Sequence, residues 1–205
     1  MSETGTTTAR PLIPELEERR AEFEWARSEI QELVSGVTDA QLNWRPHEDE
    51  WSIAECVAHL NLIGRKMIPK IDAGIEKARA KEWLSDGPFR YGRLGNWLVR
   101  AGGADQLPPR RKMRAPKLYV PSPSETWLVS TTVPRFFALQ EELIERVERA
   151  NGIDLRKLRV PSAVLPLLRL SLGQWFALLA GHQRRHLWQA RRVKKALGPD
   201  ELTAQ

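Results

Sequence analysis

Apolar residues in the first part of the chain recur at helical spacing. Leu16, Phe23, Ile30 and Val37 fall every seven residues, with Ile13, Ala26 and Leu33 between them. Ile13 to Val37 is therefore predicted to be a helix with one buried stripe, ended by Gly36 and Thr38. A second stripe, Ile53, Leu60, Gly64, Met67 and Ile71, follows "WSIAEC". There Ser52 and Glu55 have capping-box spacing, in which each side chain satisfies an orphan backbone N–H of the other. This second helix is expected to run to about Trp83, with a kink at Pro69. A third extends from about Ser124 to Ala150, disturbed at Pro134 and stopped by Asn151 and Gly152. The fourth opens on the Ser171 and Gln174 capping pair and continues to about Leu197.

The stretch from Ser85 to Pro123 contains six prolines and five glycines, so it cannot be one regular element, although "GRLGNWLVRAGG" suits a short helix. Connections of this length are usually functional or mobile. "VPSAVLPLLRL", ahead of the fourth helix, reads as irregular, and no segment alternates persuasively at strand period. The expected fold is all-α: a four-helix bundle with a long irregular connection between its second and third helices. One domain is expected over residues 13–197, between a flexible N-terminus (1–12) and a C-terminal tail (198–205). The 205 residues suffice for a full core, which the eight tryptophans suit.

Charge is distributed unevenly within a net +6. Ile13 to Val37 holds seven acids and three bases, whereas Arg90 to Lys117 holds eight bases and only Asp105. Arg184 to Lys195 adds six bases and no acid. Such blocks can attract phosphates, anionic cofactors or a membrane surface, but a solvated face balanced by the acidic first helix is the simpler expectation. The single cysteine, Cys56, excludes an internal disulfide, and "MSETGTTTAR" has neither a basic nor an apolar export region. No apolar run approaches the roughly 18 to 20 residues of a bilayer span. A soluble cytoplasmic protein is expected.

In "AGHQRRHLWQARR" the fourth helix carries His182 and His186 where leucines would ordinarily stand. Trp175, Leu179, His182, His186, Gln189 and Val193 are spaced as the seam of a bundle helix, so both histidines are expected to face inward. Residues i and i+4 project side by side, and two neutral imidazoles there could grip one metal ion. Hydrogen-bonded core histidines are the alternative. Two adjacent polar rings are harder to bury than one, because an unsatisfied group costs about 1 to 3 kcal/mol and two imidazoliums repel. His59, at the edge of the second helix's stripe, is the candidate third ligand, which would leave open coordination positions. Glu55 could accept the second ring N–H of His59, but its capping role is preferred. Cys56 reads as a small buried apolar residue rather than a ligand, and His47 as exposed. Trp44, Trp51, Trp175 and Trp188 read as core or pocket wall, and Gln189 as a residue able to orient a ligand or to pack.

The segments "EWSIAECVAHL" and "SLGQWFALLAGHQRRHLWQARRV" together resemble the DinB-like superfamily of four-helix-bundle proteins. "RAPKLYVP", Arg114 to Pro121, resembles the branch with an extended middle loop. The resemblance spans about Ile13 to Leu197 and implies a divalent metal, zinc or nickel ahead of iron or manganese, held by His59, His182 and His186. It also implies a metal-dependent enzyme acting on a small molecule, such as a transferase that uses a low-molecular-weight thiol. The position three after His59, often acidic in relatives, is Leu62 here. A metal-dependent hydrolase, a non-catalytic metal-binding bundle and a basic nucleic-acid binder are the alternatives. The last would rest on the basic middle segment with Tyr91, Trp97 and Tyr119 interleaved, and it has no recognisable binding motif. A homodimer is left open.

Overall fold

In the computed structural model, residues 10–103, 115, 117–122, 125–165 and 167–198 are described. The expected tails and most of the basic stretch 104–116 lie largely outside them. The described elements are α1 (Pro14–Val34), α2 (Asp39–Asn43), α3 (Ile53–Ala80), α4 (Arg93–Gly102), a 3-10 turn (Lys117–Tyr119), α5 (Val129–Arg149), β1 (Arg159–Pro161), β2 (Arg169–Ser171) and α6 (Leu172–Ala196). The four long helices α1, α3, α5 and α6 form an all-α bundle in which α1 and α3 each pack against both α5 and α6.

Local chemistry explains most element boundaries. Glu55 accepts from the Ser52 N–H at 2.9 Å, and the Ser52 hydroxyl accepts from the Glu55 N–H at 3.2 Å, closing the capping box at the head of α3. Gln174 Oε1 accepts from both the backbone N–H and the hydroxyl of Ser171, at 3.3 and 2.8 Å, at the head of α6. Gly36 takes φ +71°, so α1 stops at Val34 rather than Val37. Thr38 does not merely end α1: it caps the short α2, which the apolar pattern did not announce.

Two further differences have physical causes. The third long helix begins at Val129, five residues after the expected Ser124, which itself lies outside the described residues. Asn43 holds the preceding backbone by pairing with both the N–H and the carbonyl of Trp127, at 3.0 and 2.7 Å. Asp39 Oδ1 then accepts the Val129 N–H at 2.7 Å, so α2 caps α5 across the fold. The segment expected to be irregular ahead of α6 contains a small antiparallel hairpin, with Val160 opposite Leu170. Val160 and Leu170 are buried, and the hairpin lies over Gly74 of α3, whose missing side chain admits Val160 and Leu158.

The core falls into two apolar clusters. One gathers around Phe23, Ile71, Leu143 and Phe176, the other around Ile30, Ile53, Phe136 and Leu187. Buried polar side chains mark the changeover: Gln140 on α5, and Gln183 and His186 on α6. At the same level Gly64 of α3 faces Leu139, whose methyls fill the space a Cβ would take.

Candidate metal centre

His59 stands two turns into α3, where the Ser52 and Glu55 cap fixes the helix start. His182 and His186 occupy successive turns of α6, facing α3. The three rings meet: centroids are 5.2 Å apart for His59 and His182, 4.6 Å for His59 and His186, and 4.5 Å for His182 and His186. One nitrogen of each lies within 4.8 Å of the others, an arrangement that could hold a metal ion. His59 and His186 are buried and His182 is half-buried, so the group is sunk but not sealed.

Hydrogen bonds define the tautomers. His59 Nδ1 lies 2.6 Å from the carbonyl oxygen of Tyr119, and His182 Nδ1 lies 3.0 Å from that of Gly102. A carbonyl only accepts, so each Nδ1 carries the hydrogen and donates. Each neutral ring then presents a bare Nε2 lone pair, and the two Nε2 atoms are 3.0 Å apart. Burial keeps the rings neutral. It lowers the pKa of His59 against the opposing pull of the Tyr119 carbonyl, and it lowers that of His182 to about 4 despite the Gly102 carbonyl. His186 is lowered well below the usual histidine range, by burial first and then by His182, His59 and Arg185.

Two lone pairs facing each other across 3.0 Å repel unless an electrophile stands between them. Nitrogens that share one ion at about 2.0 to 2.1 Å stand about 3 to 3.4 Å apart, so the observed spacing fits a common cation. Neutral imidazoles suit zinc, nickel or iron. His186 Nδ1 is buried without a hydrogen-bond partner among the described residues. Gln189, half-buried on the next turn, lies close enough to raise the His186 pKa somewhat.

The aromatic residues around the rings divide between pocket wall and core. Trp51 stacks on His186 at 5.6 Å between centroids and tilts against His59 at 4.8 Å, so it is pocket wall. Trp175 is core, donating from its indole to the Val160 carbonyl at 2.8 Å. Trp44 packs at the edge of the second cluster, and Trp188 is half-buried under Arg192. Glu55 serves the cap and also pairs with Arg45, so it is not the partner of His59. Cys56 is fully buried outside the histidine group, its thiol pKa pushed up by burial. His47 is exposed. The carbonyls of Gly102 and Tyr119 are the functional groups that sequence reasoning missed, although "RAPKLYVP" contains Tyr119.

Part of the basic block on α6 is answered by α1. Arg184 pairs with Glu22 at 2.7 Å and Arg191 with Glu29 at 2.5 Å, while Lys194 reaches the carbonyl of Ser35 at 3.1 Å. No helix of the described residues is long and apolar enough to cross a membrane.

An uncharacterized protein of Bacillus subtilis (strain 168), YuaE, is 24% identical over 176 residues, which is 85% of this chain and 96% of its own length. No solved structure matches the chain. The family model of the DinB superfamily matches residues 22–190, a span that takes in all three histidines. The chain belongs to the DinB superfamily.

Proposed function

We propose that His59, His182 and His186 bind one divalent cation, zinc or nickel ahead of iron or manganese, and that the protein is a metal-dependent transferase joining a small thiol to an electrophile. The observation that carries the reading is the pair of bare Nε2 atoms 3.0 Å apart, each fixed by a carbonyl on its far side. A divalent ion held there supplies Lewis acidity, favouring the deprotonated form of a thiol or of water near neutral pH.

The chain's own groups would do the rest. Three neutral imidazoles add no negative charge, so the site keeps its electrophilic character. Trp51 covers one side of the rings and limits water there. Gln189, beside His186, would offer an amide to orient a bound ligand. Arg185, half-buried one turn from His182, would draw an anionic group toward the site. A cytoplasmic setting, which the lone cysteine favours, would provide small thiols.

The test incubates metal-loaded protein with a panel of cellular thiols and a generic electrophile, following conjugate by mass spectrometry. Metal-dependent conjugation that His186→Ala abolishes is the expected result. A rate unchanged in the variant contradicts it as background chemistry. Substrate cleavage without thiol would instead assign a hydrolase.

A further inference from the structure

Two apolar projections stand at one end of the bundle, and neither gives a side chain to the histidine site. The first is the outer face of α4, where Leu94 is 72% and Trp97 57% exposed. The inner face of α4 rests on α6: Gln174 donates to Asn96 Oδ1 at 2.9 Å, and Gly102 lies against Leu178. The second is the tip of the β1–β2 hairpin, where Leu165 is 60% and Leu167 98% exposed. Both are anchored at the start of α6. Gln174 belongs to its first turn, and β2 ends at Ser171 immediately before it. Leu167 is four residues of chain from Ser171, at most about 14 Å.

Basic side chains predominate on both projections, and the acids nearest them are engaged, Glu15 by the Tyr91 hydroxyl and Asp154 by the backbone N–H groups of Arg156 and Lys157. Arg90, Arg93 and Arg100 are exposed on and beside α4, and Arg159 and Arg169 flank the hairpin. The sequence has no acid from Gly87 to Ala104, nor from Leu155 to Pro199. An exposed leucine at a protruding tip, a tryptophan on a short helix and arginines around both form the pattern of a surface that sinks into the headgroup boundary of an anionic bilayer. A protein partner would need a cavity shaped to each projection, whereas lipid yields to both.

We propose that this end of the bundle docks on an anionic lipid surface. Leu94, Trp97, Leu165 and Leu167 enter the boundary between headgroups and acyl chains, and the arginines meet lipid phosphates. The inference is independent of the chemistry at the histidines, which lie farther along α6.

The test is co-sedimentation of the full chain with vesicles of phosphatidylcholine alone and of phosphatidylcholine with phosphatidylglycerol. The expected result is binding to the anionic vesicles only, weakening as salt is added. The Leu165→Asp, Leu167→Asp double variant should keep the helical circular dichroism of the parent and bind at least about tenfold more weakly, as should Trp97→Asp. Trp25→Asp, at an exposed position on α1, is the control for general surface apolarity and should bind as the parent does. Absence of binding to anionic vesicles, equal binding to neutral ones, or parental binding by both the double variant and Trp97→Asp would overturn the proposal. Capture by soluble polyglutamate without vesicle binding would overturn it in favour of an acidic protein partner. A dimer that dissociates in the double variant, again without vesicle binding, would assign the face to a second copy.

Discussion

At the scale of single residues, the site is a problem of where hydrogens sit. The Tyr119 and Gly102 carbonyls oblige His59 and His182 to carry hydrogen on Nδ1, leaving two lone pairs opposed at 3.0 Å. Protonation could relieve that repulsion, but burial disfavours it, and His182 titrates only near pH 4. A folded-state pKa below the unfolded value, about 6.5 for histidine, means that the unfolded chain binds more protons between the two. Stability therefore rises with pH across that window. Metal-free protein should thus be most stable above about pH 6.5 and lose stability as the pH falls from there through about 4. Chemical denaturation at a series of pH values checks this, and a midpoint that stays constant or rises on acidification would contradict it. His182 and His186 were legible in the sequence because one helix fixes their relation. Their meeting with His59 depends on how two distant helices pack, which only the family resemblance suggested. The two carbonyls were illegible, because every residue has one and only the path of the chain aims it.

At the scale of elements, the long connection is part of the site rather than a link across it. α4 ends against α6, and its last residue turns the Gly102 carbonyl toward His182. The turn that follows needs a residue without a side chain: a Cβ on Gly103 would meet the Val99 carbonyl oxygen of α4 itself at 2.8 Å. Gly103→Ala should therefore distort the last turn of α4 and weaken the hydrogen bond by which Gly102 orients His182. Loss of such an outer partner typically lowers metal affinity about 10- to 100-fold, and a chelator-competition titration should show a fall in that range. Parental affinity in this variant would detach α4 from the site. Sequence pattern served the long helices well, since heptad stripes and two capping boxes are local signals. It failed where the signal is not local. The cap on Val129 comes from Asp39, and the start of α5 is set by Asn43, 84 residues before Trp127. Strands of three residues, one of them ending in Pro161, are too short to show alternation.

At the scale of the whole molecule, the two apolar clusters hold the bundle, and a polar level lies between them. Gln140 and Gln183 stand at that level, and the oxygen of each side chain has no hydrogen-bond partner among the described residues. The histidines lie at its edge, between α3 and α6. A buried polar level weakens a core, and its retention beside three converging imidazoles is what a bundle built to hold a cation would show. The charge distribution fits the same division of labour, since acids of α1 pair with Arg184 and Arg191 of α6. The most direct test is X-ray absorption at the zinc edge of zinc-loaded protein, beside metal analysis of the His182→Ala, His186→Ala variant. The account predicts three imidazole nitrogens at about 2.0 to 2.1 Å from one ion, with the metal lost from the variant. A shell of sulfur or of oxygen alone, or stoichiometric zinc retained by the variant, would contradict it.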